Sequence, residues 1–340
     1  MKTKIIIIIL LAAVIGFTGW RAYKAFGPKS DRSKTGQEQP QQLPSINGNL
    51  VEPDKAGLRP VAVVIENHSD ARPQSGLTDA EIVYETLAEG GITRFLAIFQ
   101  TREPKEIGPV RSARPYFAFL ANMWHAPFVH SGGSATALQQ LEDGVYKNLF
   151  DVNEFYYGKY FTRSTARQAP HNLYTTLQLQ RDNLDAKKQT DWNSMNIWTT
   201  QNTPTDQLKQ EITKITLPFS VASYEASYVY DPATNSYMRS IAGKAAIDKN
   251  NTLQISPKNI LVMLTDITPN NDEKLTVDIR LTGSGPCYLF NTGTFRQCKW
   301  EYKDGKHAYT NQDGSELKLE AGQTWVEIFP RDKQNDIKWN

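Results

Sequence analysis

Only two cysteines occur in 340 residues, Cys287 and Cys298. So few thiols exclude a scaffold held by several disulfides, and neither cysteine has zinc ligands at a usable spacing, so no metal site is expected. Blocks of like charge are also absent. With 38 basic against 36 acidic residues the formal net charge is +2, which gives no basic face for nucleic acid, and none is expected as a partner. A Walker-type GxxxxGKS/T, an HExxH, a GxSxG and a CxxC are all missing. Those absences remove the commonest enzyme classes that a sequence reveals, and no cofactor is expected.

What is present begins with one long uncharged apolar run, Ile5 to Trp20, between Lys2 and Lys4 on one side and Arg21 and Lys24 on the other. As a helix it would span about 24 Å against a hydrocarbon core of about 30 Å, and the flanking Trp20 and Tyr23 can extend it at the interface. No small-x-small cleavage site follows Ala12 and Ala13, so residues 1–26 read as an uncleaved signal anchor, with a cleaved signal peptide as the alternative. A short N-terminal arm stays inside while a large body is exported. This predicts a single-pass protein of the cell membrane with its folded domains outside the cytoplasm. Residues 27–58 are polar and rich in Gln, Pro, Ser and Gly, as in a disordered linker.

The length and the 39% apolar content suit two globular domains. In residues 59–182 the run PVAVVI (Pro60 to Ile65) reads as a strand buried on both faces. A helix is expected from Thr78, whose spacing to Glu81 fits a capping box, through about Glu89. Thr93 to Gln100 reads as a strand, a helix starts at Pro115, Phe128-Val129 forms a short strand, and another helix begins at Ala135. That alternation predicts an α/β domain with a mixed or parallel sheet and helices. Residues 183–215 look like a connection. Residues 216–330 turn to period two, clearest in Leu275, Val277, Ile279 and Leu281, and predict a smaller, mainly antiparallel β domain. Residues 331–340 read as a tail.

The cysteines lie in GPCYLFNTGTFRQCKW. A two-residue hairpin turn at Thr292-Gly293 would place Cys287 opposite Cys298, where a disulfide fits. Two reduced cysteines packed as small apolar residues are the alternative. A disulfide would need an oxidising compartment, in keeping with export.

The candidate site centres on Ile107 to Ser134. Arg111 and Arg114 flank Ser112 at a predicted helix start, where cations are misplaced unless carboxylates or a bound anion answer them. His130-Ser131-Gly132-Gly133-Ser134 reads as a strand end, a glycine turn and a new helix start, a second possible anion cradle. Glu66, His68, Asp70 and Arg72 cluster at the carboxyl end of the PVAVVI strand, where open α/β sheets place ligands. Arg94 stands at the entrance to the next strand. Between Tyr146 and Arg167 aromatics are dense, either for sugar rings or to pin a loop. His171-Asn172 follows and could reach the same cleft, although a lone histidine is more often structural. Glu66, Glu85 and Glu89 could include a general acid, with Glu66 or Glu89 as acid or base, or could simply neutralise Arg94, Arg111 and Arg114.

PVAVVIEN, ARPQSGL, EGGITRFLAIFQ, IGPVRSARPYF, HSGGS and APHNLY, in that order, resemble the YerB-type lipoproteins of bacteria, a family classed by a domain of unknown function. YDPATNSYMRS, GSGPCYLF and GQTWVEIFP are similar to that family's second domain, and the likeness runs from about Arg59 to Pro330. The resemblance implies a two-domain extracytoplasmic protein at the cell envelope and carries no catalytic assignment. The chain departs from the lipoprotein pattern in having no cysteine before Cys287, so the apolar segment is expected to be its anchor. Together these readings lead to one expectation, an envelope protein that binds an anionic ligand such as peptidoglycan or another envelope polymer. Arg111 and Arg114 would clamp the anion and His130 and His171 would complete the pocket. The alternatives are a glycan-cleaving enzyme using Glu66 or Glu89, and a structural partner of another envelope protein.

Overall fold

The computed structural model describes residues 42–340 except 148, 193–196 and 205–206. The expected anchor and the first part of the linker therefore lie outside the described residues. Among the described residues no helix is long and apolar enough to cross a membrane.

Strand β1, Val61–Glu66, is buried at every position, as the unbroken PVAVVI run predicts. Strands β2, Ile82–Leu87, and β3, Thr93–Phe99, follow. Helix α1 is Pro115–Met123, β4 is Phe128–His130, α2 is Ala135–Glu142, β5 is Asp151–Asn153 and α3 is Leu177–Lys187. Then come β6, Lys214–Pro218, β7, Glu225–Asp231, β8, Ser236–Ile241, and β9, Lys244–Ala245. The last group is β10, Asn259–Thr265, β11, Ser284–Asn291, β12, Thr294–Lys303, β13, Lys306–Asn311, β14, Thr324–Pro330, and β15, Lys338–Trp339.

Ten of these strands make one sheet in the order β13-β12-β11-β10-β14-β2-β3-β1-β4-β5. The N-terminal half supplies a mixed sheet, with β1 antiparallel to β3 and parallel to β4. The C-terminal half supplies antiparallel strands, apart from β14. That strand runs parallel to β10 on one side and to β2 on the other, so it fuses the two halves through backbone hydrogen bonds. Five further strands, β9-β8-β7-β6-β15, form a second, antiparallel sheet.

Residues of β1 alternate between two cores, and this is why the run has no polar face. Val61, Val63 and Ile65 join Ile215, Leu217, Tyr228 and Ile241 of the second sheet in one core. Ala62 and Val64 join Phe117, Leu120 and Trp124 of α1 or its C-terminus in the other. Each buried aliphatic side chain contributes about 1.5–3 kcal/mol by leaving water.

Several expectations are corrected. Thr78 to Glu89 is not a helix. All six residues of β2 are buried, which no helix with one wet face allows, and Ile82, Val83 and Thr86 are β-branched. Glu81 caps no helix; its carboxylate accepts the backbone N–H groups of Gln100 and Thr101, each at 2.8 Å. Residues 42–58 are not free linker: Leu43–Pro44 pairs with Leu50–Val51, and Gln100 Oε1 accepts the Ile46 N–H at 2.9 Å. The connection contains a strand, Thr199–Gln201, paired with Lys318–Glu320. The tail is not loose, since β15 pairs with β6 and Trp339 stacks on Phe295. Of the alternating stretch only Val277–Ile279 is a strand, in a two-stranded ribbon with Ile267–Pro269.

Cys287 and Cys298 stand opposite each other in the β11-β12 register and form a disulfide. Thr292 and Gly293 make the turn, both at positive φ, as a two-residue hairpin of this type requires.

Candidate functional site

The end of β1 delivers Glu66 into a buried polar layer. Its Oε1 lies 3.2 Å from Arg111 Nε, and its Oε2 lies 2.9 Å from His171 Nδ1. Arg114 is the N-cap of α1, with Pro115 in the first turn, as expected. The two arginines do not converge. Arg114 pairs with Glu89, which also pairs with Arg94, and Arg94 Nη1 donates to Ser112 O at 3.1 Å. Carboxylates answer the cations at the helix start.

Burial alone would push Glu89 up, but the Arg94 and Arg114 guanidinium groups outweigh it and hold the carboxyl down at about 2. Glu89 is therefore an ionised counter-charge at neutral pH and has no proton to donate. Glu66 is 3% exposed and bonded to Arg111 and His171.

The glycine turn is also committed. His130 is fully buried, with Nδ1 against Gly132 O at 2.7 Å and Nε2 against Asp151 at 2.6 Å. It holds the turn and does not enter a cleft. Gly132 N–H donates to Asn153 Oδ1, Ser131 N–H to Arg111 O and Ser134 N–H to Ala113 O. Ser131 Oγ donates to Glu154, and Ser134 Oγ caps α2 by accepting from Ala137 N–H. A Cβ on Gly133 would come within 3.0 Å of Leu138 and 3.2 Å of Ala113, so this glycine serves close packing. Asn172 bonds Ser164 O and Arg163. Of the aromatics, Phe150, Tyr157, Tyr160 and Phe161 pack on the core, while Phe155 and Tyr156 are 74% and 80% exposed.

Arg114 and Ser134 line an open cavity of about 610 Å³ together with Asp272, Glu273, Lys274 and Asp278. A second cavity, of about 420 Å³, lies between the two halves of the chain past the end of β1. Asn67, Ser69, Arg72, Gln74 and Phe95 line it from the N-terminal half, and Ser223, Arg239, Ile241, Lys244, Ile247 and Ile255 from the C-terminal half. Its charged lining residues are Arg72, Arg239 and Lys244, with no acid among them. Arg239 is matched by Glu85. Arg72 bonds only neutral oxygens, those of Asn67 Oδ1, Asn67 O and Ser223 O at 3.1, 2.9 and 3.0 Å. Among the described residues no carboxylate lies within ion-pair distance of it. Burial pulls its pKa down, and the Tyr224 and Glu85 charges only partly offset this. Arg72 was a sequence candidate; Lys244, Arg239 and Ser223 were not, because the halves that carry them are far apart in the chain.

The fold and this cleft define a two-domain protein whose halves share one sheet and enclose a cation-lined pocket. The chain matches the N-terminal domain of a protein family of unknown function, DUF3048, over residues 47–192 and the C-terminal domain of the same family over residues 215–326. It belongs to that family. It is 34% identical over 291 residues, 84% of this chain and 85% of the relative, to a Bacillus subtilis (strain 168) protein named "Putative lipoprotein YerB". The crystal structure of the YerB protein from Bacillus subtilis matches with a TM-score of 0.78 at 33% identity, covering 88% of this chain and 99% of that one.

Proposed function

We propose that this is a membrane-tethered, extracytoplasmic protein of the cell envelope that binds an anionic ligand in the cleft around Arg72. The observation that carries the reading is Arg72 itself, a half-buried guanidinium at a pocket wall with no carboxylate to neutralise it. Such a group favours an incoming carboxylate or phosphate, and Lys244 adds a second cation. Apolar walls from Leu77, Ile241, Ile247 and Ile255 suit the body of a small ligand, and the volume is that of an ordinary small-molecule site. A peptidoglycan fragment or the end of another envelope polymer combines those chemistries.

Envelope placement is supported by the lipoprotein name of the Bacillus relative and by the disulfide. Both cysteines of this sequence are bonded to each other, so the tether in this reading is the apolar Ile5 to Trp20 segment rather than a lipid on a thiol.

The test is calorimetric titration of the full chain in detergent micelles with soluble muropeptides. Saturable binding that weakens with salt, and about tenfold or more in Arg72→Ala, supports the reading. Binding that is absent, or indifferent to Arg72→Ala in a variant with unchanged melting temperature, overturns it for muropeptides.

A further inference from the structure

Beside the cleft, His68, Asp70 and His171 hold one ligand atom each within 4.8 Å of one another. His68 and Asp70 come from the turn that follows β1, a 3-10 helix at Ser69–Ala71 for which His68 is the N-cap. His171 arrives from a loop about 100 residues further on. The two rings stack, with centroids 5.1 Å apart and planes 17° from parallel.

A second observation concerns how His171 is held. Its Nδ1 meets Glu66 Oε2 at 2.9 Å, and Glu66 is 3% exposed. A carboxylate that accepts a hydrogen bond from one ring N–H keeps the proton there and leaves the lone pair on the other nitrogen, which is how proteins orient histidines that bind metals. His68 Nδ1 accepts the Asp70 N–H through a long, 3.3 Å contact and lies 3.7 Å from Asp70 Oδ2. That lone pair is spent on a backbone donor, so His68 would ligate by giving up this long contact. The contrast with the other histidines is informative: His130 has both nitrogens engaged inside the fold, and His307 is buried with Nε2 against Leu281 O.

We propose that His68, Asp70 and His171 bind a divalent first-row transition ion, zinc being the representative, and that Glu66 is a positioning residue for His171. Imidazole donors favour such ions over magnesium or calcium, which require oxygen ligands. Metal–ligand bonds of about 2.0–2.2 Å in tetrahedral geometry place donor atoms about 3.3 Å apart, so the three must draw in by up to about 1.5 Å. Asp70 is 67% and His68 35% exposed at the side chain, so rotation about their own bonds can supply that movement. Three protein ligands leave a coordination position open. The inference does not depend on the cleft reading.

The experiment uses the full chain in detergent, stripped with a chelator and titrated with zinc chloride alone by calorimetry and with cobalt chloride by visible absorption. One ion per chain is expected. His68→Ala and His171→Ala should each weaken binding by at least about 100-fold, and Glu66→Gln by about 10- to 100-fold. His125→Ala should leave it unchanged, and magnesium should give no signal. Asp70→Asn, at an exposed position that cannot unfold the protein, should also weaken zinc binding while the melting temperature stays fixed. No saturable zinc binding below millimolar concentration would overturn the proposal. So would binding that survives both histidine substitutions, or that falls equally in His125→Ala.

Discussion

Glu85 of β2 and Glu327 of β14 are register partners in the parallel pair that joins the two halves of the main sheet, and both are fully buried. One cation serves them, Arg239, whose Nη2 meets Glu85 Oε2 at 2.5 Å while its guanidinium lies 4.5 Å over the Trp325 ring. Asn67 and Thr93 also donate to Glu85, and Tyr228 donates to Glu327 Oε1. Glu327 Oε2 accepts nothing. Burial first, and the neighbouring Glu85 charge second, push the Glu327 carboxyl well above the usual range. A proton on that free oxygen, facing Glu85, leaves the cluster with one negative and one positive charge.

Glu327→Gln should therefore be tolerated and should stabilise the protein at neutral pH. The amide oxygen can accept from Tyr228 and the amide nitrogen can donate to Glu85. A carboxyl raised in the folded state is favourable below its unfolded pKa, and its benefit is lost as pH rises toward the folded value. Melting temperatures of the variant and the parent should thus differ most at pH 8 and converge toward pH 5. A variant melting well below the parent at pH 8 would contradict the protonated assignment.

Arg239→Met should be severe. Removing the cation leaves a buried carboxylate beside a second carboxyl group, a change that costs about 3–5 kcal/mol. Urea denaturation at pH 7 should show a loss of that size.

Glu89 works in the opposite sense. Because its folded value is lowered to about 2, its contribution is present above the ordinary carboxylate range and is lost as pH falls from about 4.5 toward 2. The shift corresponds to roughly 3–4 kcal/mol at most, and the quarter exposure of the side chain reduces the expected contribution to about 2–3 kcal/mol. Glu89→Gln should lose that amount at pH 7 and show a shallower decline of stability between pH 4.5 and 2.

The Cys287–Cys298 bond closes a small loop, with a sequence separation of 11. Replacing both cysteines by serine should remove about 3 kcal/mol by the chain-entropy argument. The hairpin should survive, since the Thr292-Gly293 turn and the β11-β12 ladder set the register on their own. Guanidinium melts with and without reductant on the parent protein provide the same comparison without mutation.

Local pattern made part of this molecule readable. The buried PVAVVI strand, the helix start at Arg114-Pro115, the Ser134 cap and the cysteine register each depend on neighbours a few residues away. Failures share one cause: the partner is distant. Ile82 to Leu87 carries a cap-like Thr78-Glu81 spacing, yet β3 and β14 close over it on either side and force an extended strand. Arg111 and Arg114 lie three residues apart in sequence but pair with different glutamates, Glu66 and Glu89, which come from separate segments. The cleft pairs Arg72 with Lys244, and the metal-ligand cluster pairs His68 with His171. No spacing rule within one segment encodes either.

The position of β14 also governs the order in which the protein can be built. Thr86 Oγ1 bonds the carbonyl of Ile328 across 242 positions, so the third of the chain made first holds an open strand edge until nearly the last strand has emerged. Contacts that far apart close slowly. A chain handed across a membrane N-terminus first would stay incomplete through almost the whole passage, and its two family domains would reach their native state in a single late event.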